Sequence, residues 1–248
     1  MTRAALRAQA QSFDKLAADY DRLGDLGENH QRIAQWLAGV LPGAGGRALD
    51  LGCGTGRHTM LRADRFTRVD AVDLAQPMIR LARARRPRPN VTYWTSDLHD
   101  VAGPQRYDCI LSVLTLHHVP DLHAALSHIR SLLAPGGRVV IADCYDICPD
   151  RPSAWWRLRL AAEAVVPVRL RLPALALLRG GRDVLRRGPV TAWEVCRLTV
   201  KRDWLDHLVS DRMFSREALQ ASCADLFPGA RLEVLGGARG IGLVWDAP

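Results

Sequence analysis

The sequence predicts an α/β fold, a mostly parallel sheet with helices on both faces. Three observations carry this. Apolar runs of strand length alternate with helical periodicities through the first 144 residues, the pattern of βαβ units. The first such run ends in Asp50 and breaks into a turn with glycines at alternate positions, Gly52, Gly54 and Gly56, before a helix start. A turn of that kind, at the carboxyl end of a parallel strand, is where open α/β sheets bind nucleotides. Finally, 248 residues with 48% hydrophobic content suffice for one such domain plus an insertion.

The elements follow in order. Ser12 to Leu23 places Phe13, Leu16, Ala17 and Tyr20 on one helical face. Asn29 to Leu41 is a second helix, stopped by Pro42 and a glycine cluster. After the glycine turn, Arg57 to Ala63 reads as the first crossover helix and Arg68 to Asp73 as the second strand. Ala75 to Arg86 is a helix closed by Pro87 and Pro89, and Val91 to Asp97 is the third strand. Tyr107 to Leu114 is nearly all apolar, as a central parallel strand should be. Leu122 to Leu133 is a helix stopped by Pro135, Gly136 and Gly137, and Arg138 to Cys144 is the fifth strand. Ser215 is a candidate N-cap for a helix over Arg216 to Leu226, ended by Pro228 and Gly229. Two short strands, Arg231 to Leu235 and Gly240 to Trp245, finish the chain.

Residues 145–211 interrupt this pattern and are too long for a simple crossover. They hold Trp155, Trp156, Trp193 and Trp204, many arginines, and Pro167, Pro173 and Pro189. We read them as a helical cap over a main domain of residues 1–144 and 212–248. Trp193, Cys196, Val200, Trp204 and Leu208 form one helical stripe, expected to face a core. Residues 155–187 interleave arginine with leucine and valine next to paired tryptophans, a combination that suits contact with a membrane surface. The prolines there oppose one continuous helix.

Composition narrows the classes. Net charge is +8, almost all from arginine, since lysine occurs only at Lys15 and Lys201. That balance favours an acidic partner, although arginine rising with alanine, glycine and leucine equally fits a GC-rich coding bias, the reading we prefer. The six cysteines are scattered, with no disulfide framework and no paired C-x-x-C metal pattern. Free thiols suit a reducing cytoplasm. Met1 to Gln11 lacks the apolar core of a signal peptide, and no run approaches the ~18 uncharged apolar residues of a spanning helix. The expected location is therefore cytoplasmic; short cap helices with solvated arginines are the expected form of 155–187, and peripheral membrane contact is the alternative. Nothing in the sequence sets an oligomeric state.

Spacing decides among glycine-rich turns. A dinucleotide fingerprint needs its third glycine one residue later, and a P-loop needs a lysine that is missing here. The acidic-x-Gly-x-Gly-x-Gly run, Asp50 to Gly56, resembles motif I of class I S-adenosylmethionine-dependent methyltransferases. Phe13-Asp-x-x-Ala-x-x-Tyr-Asp21 is similar to a segment that closes over the cofactor in many small-molecule members. His117-His-x-x-Asp121 resembles a turn of the ubiquinone/menaquinone type, and Leu133-x-Pro-Gly-Gly-x-Val-Val-Ile141 is a further family feature.

The resemblance covers roughly Phe13 to Cys144 plus the last strands. It implies a Rossmann-like, seven-stranded sheet whose last strand is antiparallel, with a helical cap after strand five. It also implies S-adenosylmethionine as cofactor, held by Tyr20, Asp50, Gly52, Cys53, Gly54, Gly56, Asp73, Leu74, Met78, Asp97, Leu98 and Val113. Asp73 lies about 20 residues beyond the turn, where a carboxylate accepts ribose hydroxyls. Met78 is expected on the adenine, and Asp97 with Leu98 at its amino group.

Methyl transfer from a sulfonium is an in-line displacement. Most of its acceleration can come from holding the nucleophile ~3 Å from the methyl, and a base is needed only when that nucleophile carries a proton. His117 and His118 are the candidate bases, because they follow the central strand and titrate in the useful range. Asp143, Tyr145, Trp155 and Trp156 are candidate substrate contacts. His123 and His128 are poorly spaced for joint ligation, and no metal is assigned. The expected acceptor is a small apolar or aromatic molecule. An RNA or protein acceptor, or a binding protein without transferase activity, is the alternative. Nucleic acid is disfavoured, because Asp108-Cys-Ile-Leu-Ser-Val-Leu114 stands where base N-methyltransferases carry Asn-Pro-Pro-Tyr.

Overall fold

A computed structural model describes residues 3–102, 106–146, 184–204, 207, 214–235 and 240–248. Trp155, Trp156 and most of 155–187 therefore lie outside the described residues. The chain divides into two compact units. One comprises Met1–Ala17, Glu28–Ile147 and Arg212–Pro248; the other comprises Ala18–Gly27 and Cys148–Asp211.

The first unit is built on a sheet. Its strands are β1 (Gly45–Leu51), β2 (Phe66–Asp73), β3 (Val91–Thr95), β4 (Tyr107–Val113), β5 (Leu133–Asp146), β6 (Phe214–Ser215), β7 (Arg231–Val234) and β8 (Gly240–Asp246). Seven of them run in the order β3-β2-β1-β4-β5-β8-β7, and the two-residue β6 pairs with the end of β5. β1 lies parallel between β2 and β4, with Asp50 opposite both Ala71 and Leu111. β8 is antiparallel to β5 and to β7. The predicted Rossmann-like sheet with an antiparallel last strand is thus present.

Both faces of the sheet are covered. On one, Leu49, Leu51, Ile110, Ile141 and Leu243 pack with Leu126 and Ile129 of α5 (Leu122–Leu132). Leu219 and Cys223 join them from α7 (Arg216–Leu226). On the other face, Ala48, Leu111, Val140 and Val244 meet Ile33 and Leu37 of α2 (Glu28–Val40). Each such leucine or isoleucine contributes about 1.5–3 kcal/mol by leaving water. The helix starts are chemically marked. Asp121 accepts from the Ala124 amide at 2.9 Å ahead of α5, and Ser215 from the Ala218 amide at 3.1 Å ahead of α7.

Three expectations need correction. The first crossover helix, α3, is only Met60–Ala63, because three glycines at positive φ spend the preceding residues on a turn. β5 starts at Leu133 rather than Arg138. Its register jumps where Tyr107 faces Leu133 and Cys109 faces Arg138, so the Pro135–Gly137 insert is absorbed inside the strand. The tryptophan stripe in the second unit is only partly covered. On α6 (Pro189–Thr199) the buried residues are Ala192 and Leu198; of the stripe, Trp193 and Val200 are exposed, Cys196 and Trp204 are half-buried, and Leu208 lies outside the described residues. The end of α1 (Arg3–Leu26) and α6 are tied by Arg22–Glu194 and, just past α6, Asp19–Lys201, each at 2.6 Å.

Candidate active site

The glycine turn follows β1 and is bound to β2, since the Gly52 and Cys53 amides both donate to the Val72 carbonyl. Its three glycines have φ of +70°, +53° and +80°. Two are close-approach positions. A Cβ on Gly52 would lie 2.1 Å from Thr115 Oγ1, and one on Gly56 would lie 2.7 Å from Tyr93 Oη. Gly54 differs, because a Cβ there would meet nothing within 4 Å. The backbone at Gly54 is therefore open to a ligand, while its neighbours are locked from behind.

Asp73, at the carboxyl end of β2, is joined to that turn. Its Oδ2 accepts from the Gly54 amide and its Oδ1 from the Ala75 amide, both at 2.8 Å. Each oxygen keeps a second lone pair for a hydroxyl donor. Burial pushes this carboxyl up to about 6, against the lowering effect of the two amides. Asp97, past β3, caps a one-turn helix over Leu98–Asp100 by accepting from the His99 amide at 3.0 Å. Met78, on α4 (Gln76–Arg85), and Val113 are buried, and Leu74 and Leu98 are half-buried. Burial pushes the Cys53 thiol well up, so it stays protonated.

Asp50 faces inward. Its Oδ2 accepts from Thr59 Oγ1 at 2.6 Å and stands 3.3 Å from Nη1 of Arg62. Arg62 is fully buried, and its guanidinium makes no hydrogen bond to the described residues. Nearby, the stacked rings of His30 and His58 bring Nδ1 and Nε2 to 3.1 Å, and burial, His30 and Arg62 push His58 down to about 3. Sequence reasoning missed this buried cluster, because an arginine in a short amphipathic pattern reads as solvated.

Beyond β4 the chain turns sharply. Leu114 has a φ of +52°, the one positive value outside glycine among the described residues. Strain of that kind collects at functional sites. The following one-turn helix, Leu116–His118, is held by Asp143 of β5. Asp143 Oδ2 accepts from the amides of Thr115 at 3.1 Å and Leu116 at 2.7 Å. Its Oδ1 accepts from the Cys144 amide and lies 2.6 Å from His117 Nδ1. The ring of His118 sits 3.9 Å from that of His117, with the edge of Phe13 against it at 5.9 Å. Thr115 Oγ1 donates to the Gly52 and Val113 carbonyls, so this turn and the glycine turn are one assembly. Thr115 and Leu114 had no signal in the sequence.

The remaining expected residues are Tyr20, Tyr145, Trp155 and Trp156. Tyr20 lies in the second unit, its ring 6.2 Å from that of Trp204. Tyr145 pairs through its backbone with Phe214. Trp155 and Trp156 fall outside the described residues.

Residues 48–137 match the family model for a methyltransferase domain. A malonyl-[acyl-carrier protein] O-methyltransferase of Salmonella typhimurium is 30% identical over 193 residues, covering 75% of this chain and 73% of that protein. The chain belongs to the class I S-adenosylmethionine-dependent methyltransferases. A demethylmenaquinone methyltransferase of Tropheryma whipplei is 33% identical over 137 residues, or 53% of this chain and 56% of that protein. The chain spans about half the length of several such curated relatives. Among solved structures, a DhpI–S-adenosylhomocysteine complex shares the fold with a TM-score of 0.65, at 18% identity over 100% of both chains.

The described residues of this chain fit that cofactor on three counts. The backbone at Gly54 is open, Asp73 is fixed with acceptor capacity to spare, and Asp97 stands at the end of the next strand over. Open α/β sheets bind their ligands at this end.

Proposed function

We propose that this protein transfers the methyl group of S-adenosylmethionine to an oxygen, nitrogen or carbon nucleophile of a small apolar or aromatic acceptor. Asp73 takes the ribose hydroxyls. Met78, Asp97 and Leu98 take the adenine, with Leu74 beside it. The backbone of Gly52, Cys53, Gly54 and Gly56, together with Val113, takes the rest of the cofactor, and Asp50 braces that turn from beneath. Tyr20 carries the same proposal on its sequence pattern alone. When bound, the cofactor supplies an electrophilic methyl on a sulfonium, a good leaving group.

The observation that carries the chemistry is the 2.6 Å contact between His117 Nδ1 and Asp143 Oδ1. A carboxylate can only accept, so this contact places the neutral ring's proton on Nδ1 and its lone pair on Nε2. His117 is then oriented to take a proton from an acceptor hydroxyl or amine as that group attacks, and Asp143 stabilises the resulting imidazolium. His118, its ring tilted against that of His117, is the second candidate for this proton. Asp143 thereby acts as a positioning residue, where its place in the sequence suggests a substrate contact. Tyr145, Trp155 and Trp156 remain the proposed acceptor contacts.

An RNA or protein acceptor is the second reading, favoured by the net charge of +8. A screen for transfer of tritium from labelled S-adenosylmethionine, run across quinones, phenols, carboxylic acids, RNA and protein, tests both. Label in an apolar small molecule, with S-adenosylhomocysteine released, supports the first. Label confined to RNA or protein overturns it, and binding without any S-adenosylhomocysteine formation points to a protein that does not methylate. Membrane contact through 155–187 is a proposal on its sequence pattern alone.

A further inference from the structure

Exposed apolar side chains are concentrated in one place. Among the described residues, six large hydrophobic side chains are exposed, and five of them fall within 184–200: Val184, Leu185, Val190, Trp193 and Val200. Leu185, Val190 and Trp193 are 88%, 79% and 70% exposed, levels that leave little of each side chain covered. On α6 and its C-cap, Val190, Trp193, Arg197 and Val200 follow steps of three and four, which place them on one helical face. The opposite side carries the buried Ala192 and Leu198. The helix therefore has a covered side and a bare apolar side.

The charges on the bare side are mostly of one sign. Arg197 stands in the middle of the apolar face, and Arg186 and Arg202 are exposed at its ends. Glu194 is taken up by Arg22, through contacts of 2.6 and 2.9 Å. Asp203 is the exposed acid in this stretch. A tryptophan and aliphatic side chains interleaved with arginine match the demands of a lipid interface, where rings and alkyl groups enter the acyl boundary while guanidinium groups meet headgroup phosphates.

We propose that residues 184–202 form a docking face for an anionic lipid surface. A second copy of the chain is the competing occupant, and charge disfavours it. A two-fold contact sets the same patch against itself, which would bring Arg197 and Arg186 of both copies together, with Asp203 as the one exposed acid of the stretch to offset them. An anionic bilayer removes that conflict. This inference stands apart from the methyl-transfer reading, because it uses none of the residues placed at the cofactor.

Co-sedimentation of the full chain with vesicles tests it. The probes are vesicles of phosphatidylcholine alone and of phosphatidylcholine with phosphatidylglycerol. The double variant Leu185→Ser/Trp193→Ala and the single variant Arg197→Glu alter exposed positions, and circular dichroism confirms that each is folded. The expected result is binding to the anionic vesicles, little to the neutral ones, and a loss on raising salt from low to high. Each variant should lower the partition coefficient roughly tenfold. No sedimentation of the wild type with anionic vesicles overturns the proposal, as does equal binding by the variants. Concentration-dependent dimerisation that the same variants abolish, without vesicle binding, assigns the face to a second copy instead.

Discussion

Asp143 holds His117 through a 2.6 Å contact and, with its other oxygen, holds the amides of Thr115 and Leu116. One carboxylate thus fixes both the ring and the turn that carries it. His117→Ala should lower kcat about 100-fold or more if the acceptor loses a proton on attack. Affinity for S-adenosylhomocysteine should stay near that of the wild type. Asp143→Asn should behave similarly, because an amide can place a donor against Nδ1 and favour the wrong tautomer. Steady-state kinetics with calorimetry on both variants gives the split. Full turnover by His117→Ala would remove it as the base.

The glycines of the turn should separate by function. Gly52→Ala drives a methyl into Thr115 and should destabilise the fold by about 1–3 kcal/mol or more. Gly54→Ala meets open space, so its stability cost should be limited to about 1–2 kcal/mol from the positive φ. It should nevertheless weaken cofactor binding, because the new methyl stands where the ligand approaches. Denaturant unfolding and calorimetry measure the two effects. Normal cofactor affinity in Gly54→Ala would move the ligand away from this backbone.

The buried pair of Asp50 and Arg62 gives a stability prediction. Arg62→Met leaves Asp50 buried without its counter-charge and should cost about 3–5 kcal/mol. Adding Asp50→Asn to that variant should recover part of the loss, since the lone charge is then gone. Urea midpoints report this directly. An Arg62→Met protein as stable as the wild type would show that the pair does not support the turn.

The fold and the turn that carries the proposed cofactor site were legible because they depend on local chemistry. Asp73 ends an apolar run, and Gly52 to Gly56 could only be a turn. What stayed hidden depends on which side of an element is covered. Nothing in the sequence marked Arg62, which a four-residue helix brings within 3.3 Å of Asp50. Trp193 looked like core, because helical spacing gives a face but not what lies against it. Asp143 read as a ligand contact from its position at the end of a strand, yet its carboxylate is engaged by three amides and an imidazole.

Cofactor affinity should depend on pH through Asp73. Its carboxyl is pushed up to about 6, so in the free protein it gains a proton as pH falls through that value. Hydroxyl donors need the ionised form, hence binding is full above pH 6 and is lost below it. At pH 5 the dissociation constant should be roughly tenfold weaker than at pH 7.5, since each unit below the pKa is a factor of ten. Asp73→Asn should flatten that dependence. A wild-type affinity that is constant from pH 5 to 7.5 would contradict the role.

The central claim is that the turn at Gly54 and the carboxylate of Asp73 form an S-adenosylmethionine site. Calorimetry with S-adenosylhomocysteine and with NAD, on the wild type and on a folded Asp73→Ala variant, tests it most directly. The wild type should bind S-adenosylhomocysteine and show little affinity for NAD. Asp73→Ala should bind ten- to a hundredfold more weakly, since a hydrogen bond to a charged group contributes about 1.5–3 kcal/mol. NAD binding without S-adenosylhomocysteine binding, or an unchanged dissociation constant in Asp73→Ala, would contradict the account.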